Sequence, residues 1–246
     1  MKSIRKQTTY DNYEILVIDN DDLHPQLAKE LDALGVIRVP FTEPFNLSAK
    51  MNLGAAKADG EYLILLNDDT DVQSPDWIEA MLEVGQWPEV GAVGAKLLFE
   101  DGRLQHAGVT FVGRVPLHHF YAAPGDYPGY WHGNLLIRNY SAVTGACVLV
   151  RTEDYHNVGG FDAEFPLNYN DIDMCLKLRR LGKRIIYQPN AILSHFENAS
   201  KEGIFQEEID RFVEKWGNEF PCDPYYNPNL TKVHGDYRLG AGIAGE

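Results

Sequence analysis

The chain has 246 residues, enough for one large α/β domain or two small ones, and 44% of them are hydrophobic, which allows a sizeable core. The formal net charge is −14 and no cluster of Lys and Arg occurs, which excludes a typical nucleic-acid-binding protein. No apolar run has the length of a membrane span and the N-terminus lacks the pattern of a signal peptide, so we expect a cytoplasmic protein.

The first hundred residues alternate predicted strands with predicted helices. Short apolar runs typical of strands alternate with segments whose apolar residues recur every three to four positions. The predicted strands span 13–18, 37–40, 62–66 and 92–99, and the predicted helices span 24–34, 46–57 and 75–84, the last with Ser74 as its N-cap. Such alternation is typical of a parallel sheet covered by helices.

The second half of the chain is less regular. Residues 101–138 are rich in Gly, Pro, His and aromatic residues, and we expect an ordered, substrate-facing loop with an edge strand at 108–113. A predicted strand over 143–150 contains Gly145 and Ala146, which leave room for another group to approach closely. The remaining predicted elements are a helix over 170–181, short strands over 185–187 and 191–193, and an amphipathic helix over 204–216.

The most informative stretch is the predicted strand over 62–66, which runs directly into Asp68, Asp69 and Asp71. An uninterrupted apolar run is typical of a strand buried on both faces, and such strands end at the ligand-binding edge of an open α/β sheet. Carboxylates this close repel each other by roughly 1 kcal/mol per pair at 4 Å in water, and a hard divalent cation would remove that repulsion. A solvated acidic turn explains the same residues, and their spacing alone does not decide between the two.

Three other places put chemically useful residues at the end of a predicted element. Asp19 and Asn20 follow the first strand, where they could bind a nucleobase or ribose edge or simply close a turn. Asp171 stands at a helix start and could act as a general base, while helix capping by Asn170 explains the same pattern. His195 follows a strand and could complete a metal site, although a buried, hydrogen-bonded histidine is the more frequent case.

These places occur in a distinctive order along the chain. A strand ending in Asp-Asn is followed by a buried strand ending in Asn-Asp-Asp-Thr-Asp, then by Thr-Gly-Ala-Cys, Gly-Gly-Phe-Asp, Asn-Asp-x-Asp-x-Cys and His195. This order resembles the family 2 glycosyltransferases, inverting enzymes of the GT-A fold, and most closely the bacterial members that build cell-surface polysaccharides. The resemblance covers about residues 10–200. It implies an α/β fold with a Rossmann-like, mostly parallel sheet, helices on both faces, and a smaller mixed-sheet acceptor region.

The resemblance also implies a role for each candidate residue. Asp69 and Asp71 would form a DXD motif that, with His195, holds Mg²⁺ or Mn²⁺ against the donor diphosphate, and Asn67 stands where the first acid is often found. Asp171 would be the general base that deprotonates the acceptor hydroxyl. The implied donor-binding residues are Asp19, Asn20, Asn46, Asn52 and Asp69, and the implied acceptor-binding residues are Trp131, Gly145, Ala146 and Asn170.

The implied activity is metal-dependent, inverting, hexosyltransferase-type transfer from a UDP- or dTDP-sugar to a glycan or lipid-linked acceptor. We expect one GT-A domain over 1–236, followed by a flexible tail over 237–246. Within the domain, 1–100 would bind the nucleotide sugar, 101–200 would hold the acceptor and the base, and 201–236 would form a C-terminal helix and extension. A lipid-linked acceptor would make this a peripheral protein at the inner face of the plasma membrane.

One departure from the family pattern affects these expectations. Family members normally begin with a strand that carries an Ile-Pro-Thr type motif, whereas this sequence starts inside the helix expected after that strand. A central strand is therefore expected to be absent, and the exposed edge predicts weakened donor binding, a homodimer through that edge, or a larger multidomain chain. Two alternatives stay open, namely a catalytically impaired sugar-nucleotide- or glycan-binding module and a glycoside hydrolase, which also uses paired carboxylates.

Overall fold

The computed structural model describes residues 1–20, 23–112, 115–196, 206–217, 222–231 and 237–239. The helices are α1 Lys2–Gln7, α2 Pro25–Ala33, α3 Leu47–Ala55, α4 Trp77–Gly85, α5 Thr152–Asn157, α6 Asn170–Arg180 and α7 Gln206–Trp216. The strands are β1 Leu16–Asn20, β2 Ile37–Phe41, β3 Tyr62–Leu66, β4 Thr70–Val72, β5 Val90–Leu98, β6 Leu104–His106, β7 Val109–Val112, β8 Val115–His118, β9 Arg138–Tyr140, β10 Cys147–Arg151 and β11 Arg184–His195. Within these ranges, none of the helices has the length and apolar character needed to cross a bilayer.

Side-chain caps set the starts of two helices near the predicted positions. His24 Nδ1 accepts a hydrogen bond from Gln26 N at 3.2 Å before α2, and Asn46 Oδ1 accepts one from Ala49 N at 2.9 Å before α3. The prediction that Ser74 caps α4 is wrong. Its hydroxyl oxygen accepts a hydrogen bond from the Ile192 backbone N–H at 2.8 Å instead, and α4 begins three residues later.

A seven-stranded sheet forms the centre of the fold. Its strand order is β3-β10-β5-β11-β4, with β6 paired to β5 and β9 paired to β11. β3, β5 and β11 run in one direction, as predicted for a parallel sheet, but β10 runs between β3 and β5 in the opposite direction. β4, β6 and β9 are also antiparallel to their neighbours, so the sheet is mixed. The sequence pattern did not show this because a buried apolar run looks the same in either direction.

The two short strands predicted at 185–187 and 191–193 are parts of one strand. β11 runs for 12 residues, and a bulge between Gln188 and Ile192 shifts its register against β5. Gln188, Pro189 and Asn190 interrupt the apolar pattern there, so the sequence looks like two short strands. Because the strand continues past the bulge, it carries His195 to the place where β4 starts.

Helices cover both faces of this sheet, which confirms the predicted α/β architecture. Val148 and Ile185 belong to a core that includes residues of α6 and α7. The next residues along the same strands, Leu149 and Ile186, belong to a second core that includes residues of α4. Neighbouring residues of one strand therefore enter opposite cores, as the two-residue period of a strand requires.

β1 and β2 form a separate parallel sheet. In the part of the chain that the structure describes, neither strand pairs with the seven-stranded sheet, and β3 pairs with β10 alone. Within the described residues, the sheet is therefore split between β1 and β3.

Tyr237 shows that the predicted boundary between domain and tail was placed too early. The residue is buried, and its ring stacks on Tyr130 with the ring centroids 4.7 Å apart. It also packs against Phe120 and Tyr226, so Tyr237 is part of an aromatic cluster beneath the 120–140 segment. Residues 240–246 of the predicted tail lie outside the described residues.

Candidate active site

The turn after β3 brings the acid-rich segment against the end of β11. Thr70 Oγ1 donates to the Asn67 carbonyl at 2.8 Å and closes the turn. Thr70 then pairs with His195 in the antiparallel β4–β11 ladder, and the Phe196 N–H donates to the Asp69 carbonyl at 2.9 Å. The backbone thus fixes two segments that are more than a hundred residues apart in the sequence.

Asn67, Asp69 and His195 form an acid–histidine cluster at this turn. His195 Nε2 lies 3.1 Å from Asn67 Nδ2 and 3.0 Å from Asp69 Oδ1. The other ring nitrogen, Nδ1, lies 2.6 Å from Gln105 Oε1, an oxygen that can only accept, so Nδ1 carries the proton. In the neutral ring, Nε2 then has a lone pair that accepts from the Asn67 amide and faces the Asp69 carboxylate with no proton between them.

This arrangement leaves Asp69 Oδ1 unsatisfied. The atom is buried and accepts no hydrogen bond from the described residues. A buried acceptor without a donor costs about 1–3 kcal/mol, and a cation between Asp69 and His195 or a second proton on the imidazole would remove that cost. Neighbouring ligands of an octahedral Mg²⁺ with bonds of about 2.1 Å lie about 3 Å apart. The 3.0 Å separation of Nε2 and Oδ1 therefore fits a divalent cation.

Asp71 is held apart from this pair. It lies between the buried residues Thr70 and Val72 on β4, so its side chain is on the opposite face of the strand. Its carboxylate accepts from Gln73 Nε2 at 3.4 Å, and its strand partner is Ser194. Across the described ranges, no three His, Cys, Asp or Glu side chains form a metal-binding group, so the structure brings together Asp69 and His195 from the predicted metal set.

Asp171 lies in the first turn of α6. Its Oδ2 atom accepts from the Gly145 N–H at 2.7 Å, and its Oδ1 atom accepts from the Ile172 N–H at 2.8 Å. Hydrogen bonds to an ionised carboxylate are among the stronger ones in proteins, so these two donors hold the carboxylate in one orientation. A fixed carboxylate at a helix start is what the general-base interpretation requires.

Gly145 and Ala146 connect Asp171 to the acid–histidine cluster. The Ala146 carbonyl accepts from the Asn67 N–H at 3.0 Å, while the neighbouring Gly145 N–H donates to Asp171. A Cβ at position 145 would lie 3.1 Å from Asp171 Cβ, so glycine permits this close approach. The predicted close approach therefore occurs, and the group that approaches is Asp171.

Asn170 does not occupy the predicted N-cap position, although its Oδ1 atom accepts a hydrogen bond from the Asp171 N–H of the first turn at 2.8 Å. α6 begins at Asn170 itself, after Tyr169 with a φ of 62°, so Asn170 is not the N-cap. Its side chain is buried, with the amide nitrogen 3.4 Å from the Leu167 carbonyl and 3.5 Å from the Phe165 carbonyl. It stabilises the loop before α6, and this burial does not support the predicted acceptor contact.

On the donor side, Asp19 and Asn20 end β1 as predicted, and each holds a cation. Arg38 Nε donates to the buried Asp19 carboxylate at 2.6 Å, and this hydrogen bond raises the pKa of the Arg38 guanidinium. Lys50 Nζ donates to Asn20 Oδ1 at 2.9 Å. The Asp19 carboxylate offsets the charge of Arg38, so of these two cations Lys50, which is held by a neutral amide, is the one that could attract an anionic ligand to this end of β1.

Asn46 and Asn52 are used by the protein itself. Asn46 caps α3 and donates to the Ala163 carbonyl at 2.9 Å. Asn52 donates to the Phe161 carbonyl at 2.8 Å and accepts from Tyr155 Oη and the Phe161 N–H. Their amides tie α3 to the segment 161–163, and these bonds do not support the prediction that they line the nucleotide pocket.

Trp131 lies on an exposed turn, 76% exposed, within the predicted aromatic loop. The loop is ordered beneath it: Asn134 is buried and donates to the Tyr127 carbonyl at 2.7 Å. The structure therefore agrees with an ordered loop that presents an aromatic ring to solvent, and the acceptor contact stays a prediction.

Two residues that the sequence did not single out support these sites. Gln105 contacts His195 from β6, in a region predicted to be a loop, and no local signal marks it because β6 forms by pairing with the distant β5. For Arg38 the sequence does contain a signal. It is the charged residue of an otherwise apolar strand, β2, which follows Asp19 in the chain and pairs in parallel with β1.

Two curated proteins match nearly the whole chain. The protein y4gI of Sinorhizobium fredii, whose function is not described, is 38% identical over 259 aligned positions, and the alignment covers 98% of this chain and 28% of that protein. The O-antigen biosynthesis protein RfbC of Myxococcus xanthus is 35% identical over 248 aligned positions, and the alignment covers 96% of this chain and 19% of that protein. The chain thus spans less than a third of the length of either relative.

The fold and the family agree with these matches. The crystal structure of GalNAc-T7 with UDP, GalNAc and Mn²⁺ superposes with a TM-score of 0.67 at 17% identity, over 88% of this chain and 44% of that one, which shows a GT-A glycosyltransferase fold. The model of the family described as Glycosyl transferase family 2 matches residues 1–131, more than half of the chain. The chain therefore belongs to glycosyl transferase family 2.

Proposed function

We propose that this chain transfers a sugar from a UDP- or dTDP-sugar to a hydroxyl of a glycan or lipid-linked acceptor, with inversion, during surface-polysaccharide synthesis. The family, the fold and the similarity to an O-antigen biosynthesis protein support this proposal. The observation that carries it is the unsatisfied Asp69–His195 pair joined to the fixed Asp171 carboxylate through Gly145 and Ala146.

Asp69 and His195 would hold a Mg²⁺ or Mn²⁺ ion, with the Asn67 amide beside them. The buried, donorless Asp69 oxygen and the Nε2 lone pair are the donor types that such an ion accepts. When bound, the ion would supply positive charge to the diphosphate leaving group. A chain with a net charge of −14 needs such local positive charge to hold an anionic donor.

Asp171 would remove the proton from the acceptor hydroxyl. As the hydroxyl oxygen forms a bond to the anomeric carbon, the bond from that carbon to the diphosphate oxygen breaks and its electron pair leaves with the nucleoside diphosphate. A single displacement of this kind inverts the configuration at the anomeric carbon. The Gly145 and Ile172 N–H groups hold the carboxylate in place for this proton transfer, which is the positioning that general-base catalysis needs.

The exposed part of the aromatic loop suits a lipid-linked acceptor. Trp131, Leu135, Leu136 and Ile137 are all exposed, and no Asp or Glu occurs between Asp126 and Glu153. Trp and aliphatic side chains together favour the membrane–water interface, and the absence of acids avoids repulsion by anionic lipids. The proposal therefore includes peripheral contact with the inner face of the plasma membrane from a cytoplasmic location.

The split between β1 and β3 bears on the donor site, because Asp19 ends β1 and Asp69 follows β3. We propose that a strand from elsewhere in a larger chain, or from a second copy, pairs with these edges and strengthens donor binding. Light scattering of the purified chain together with its donor affinity tests this, and a monomer with micromolar donor affinity would contradict it.

The transferase proposal is tested by incubating the protein with UDP- and dTDP-sugars and with glycan or polyprenyl-diphosphate-linked acceptors, with Mn²⁺ or with EDTA. We expect transfer with Mn²⁺, no transfer with EDTA, and an inverted anomeric configuration by proton NMR. A retained configuration or EDTA-resistant transfer would contradict the proposed mechanism. Glycan cleavage without a donor would indicate a hydrolase, and donor binding without turnover would indicate a binding module.

A further inference from the structure

β6 places two neighbouring side chains against two parts of the candidate active site. Gln105 Oε1 lies 2.6 Å from His195 Nδ1. On the next residue, His106 Nε2 accepts from the Gly108 N–H at 3.3 Å and from the Thr144 N–H at 3.4 Å, directly before Gly145. Both side chains are buried, and β6 is itself paired to β5 beside β11. The strand therefore reaches the His195 ring with one residue and the Thr144 backbone, directly before Gly145, with the next.

We propose that Gln105 is a positioning residue that fixes the tautomer of His195. Its carbonyl oxygen holds the proton on Nδ1, which leaves the Nε2 lone pair directed at Asn67 and Asp69. A neutral acceptor does this without adding charge, whereas an apolar residue at 105 would free the proton to move to Nε2 and to hydrogen-bond to Asp69 Oδ1 instead. That second arrangement would satisfy the pair internally and remove the site for a cation.

The geometry supports this role over simple core filling in two ways. The 2.6 Å contact is short for a nitrogen–oxygen hydrogen bond, and the ring is also held by Asn67 on its other side. In addition, Asp69 Oδ1 lies 3.0 Å from Nε2 but accepts no hydrogen bond from the described residues, which agrees with an Nε2 atom that carries no proton. Outer-shell partners of a metal-binding histidine fix its tautomer in this manner, and their loss typically weakens metal binding by about 10–100-fold.

The effect on metal binding rests on the proposed function, whereas the tautomer does not, so the experiment measures both. The metal-free protein labelled with ¹⁵N-histidine is examined by long-range ¹H–¹⁵N correlation, and the His195 signals are assigned with His195→Ala. We expect a protonated Nδ1 and an unprotonated Nε2 in the wild type. In Gln105→Glu, which keeps the acceptor oxygen but adds a charge, we expect Nδ1 to stay protonated. In Gln105→Leu we expect protonation to shift toward Nε2. An unchanged Nδ1–H tautomer in Gln105→Leu, or an Nε2–H tautomer in the wild type, would overturn the proposal.

Titration with Mn²⁺ alone, followed by its electron paramagnetic resonance signal, gives the second readout. We expect about 10–100-fold weaker binding in Gln105→Leu. Asn134→Leu is the matched control, because Asn134 is also a buried amide and donates to the Gly125 and Tyr127 carbonyls, away from His195. Equal weakening in Asn134→Leu would assign the effect to lost stability and overturn the positioning role. If the wild type binds no Mn²⁺, the metal proposal fails while the tautomer result still decides the role of Gln105.

Should Gln105→Leu fail to fold, the wild type and Gln105→Glu decide the question. An Nδ1 atom without a proton in either protein, although an acceptor oxygen is present, would contradict the assignment.

Discussion

Replacing Asp171 by Asn is the most informative single change, because it separates the proposed chemistry from the hydrogen bonds that hold the loop. Asparagine has nearly the same shape, but only one of its two terminal atoms can accept a hydrogen bond. Asp171 accepts from two backbone N–H groups, at 2.7 Å from Gly145 and 2.8 Å from Ile172. In the variant one of these N–H groups must face an NH₂ group.

The magnitudes of the two consequences follow from this geometry. One hydrogen bond to a charged group is lost, so the free energy of unfolding should fall by about 1.5–3 kcal/mol. The loss of a general base should lower kcat by about 10²–10⁴-fold, equivalent to about 3–5 kcal/mol in activation free energy. Binding of the donor and of Mn²⁺ should change by less than about threefold, because the acid–histidine cluster is untouched.

The assay compares kcat at saturating donor and Mn²⁺ with the thermal unfolding of the same samples. Asp162→Asn is the matched control, because Asp162 also accepts from one backbone N–H, at 3.0 Å from Glu164, and from one further donor, Lys215 Nζ at 2.7 Å. This control should lose comparable stability and keep its kcat. A folded Asp171→Asn protein with kcat within about threefold of the wild type would refute the general-base assignment.

Three further changes test other parts of the structure. Lys215→Met should lower the free energy of unfolding by about 3 kcal/mol in chemical denaturation, because it removes one of the two cations paired with the fully buried Asp173 and leaves it Lys177 and the Trp216 N–H; an unchanged midpoint would contradict this role of α7. Burial opposes ionisation of Asp162, but the hydrogen bond from Lys215 lowers the pKa of this carboxyl below 3.8. The ion pair therefore stabilises the fold above pH 3.8, and this stabilisation is lost as the pH falls through the folded-state pKa of Asp162. In Lys215→Met, the free energy of unfolding should fall less steeply on acidification. Trp131→Ala should leave the melting temperature unchanged, since the ring is 76% exposed, but should raise KM for a lipid-linked acceptor; an unchanged KM would remove Trp131 from the acceptor site. Arg38→Met should destabilise the protein by leaving the buried Asp19 carboxylate without its cation, and equal stability in equilibrium unfolding would contradict that pairing.

The sequence predicted those parts of the fold and site that depend on local patterns. The apolar run of β3 and its acids, the small residues Gly145 and Ala146, and Asp171 at a helix start are all visible within a few neighbouring positions. The structure places each of them at the candidate site. The order of these motifs was also sufficient to identify the family, which the comparisons confirm.

Features that depend on long-range pairing could not be predicted in this way. Ser74 has the local pattern of an N-cap, but the Ile192 N–H of a distant strand takes its hydroxyl oxygen. Asn52 has an amide suited to a ligand, but the 155–161 segment already uses that amide. Gln105 carries no signal at all, because its importance comes from the pairing of β6 with β5 and from the bulge that lets β11 reach it.

The metal-dependent binding of a nucleoside diphosphate tests the central claim most directly. Isothermal titration of UDP and of dTDP, each with Mn²⁺ and with EDTA, is performed on the wild type, Asp69→Asn and Asp171→Asn. The account predicts that at least one of the two nucleotides binds the wild type and Asp171→Asn, and does so only with Mn²⁺. It predicts that Asp69→Asn binds neither nucleotide, because Asp69 belongs to the cation site and Asp171 does not. Binding that is equal in EDTA, or equal in Asp69→Asn, would contradict the assignment of Asp69 and His195 as the diphosphate–metal site.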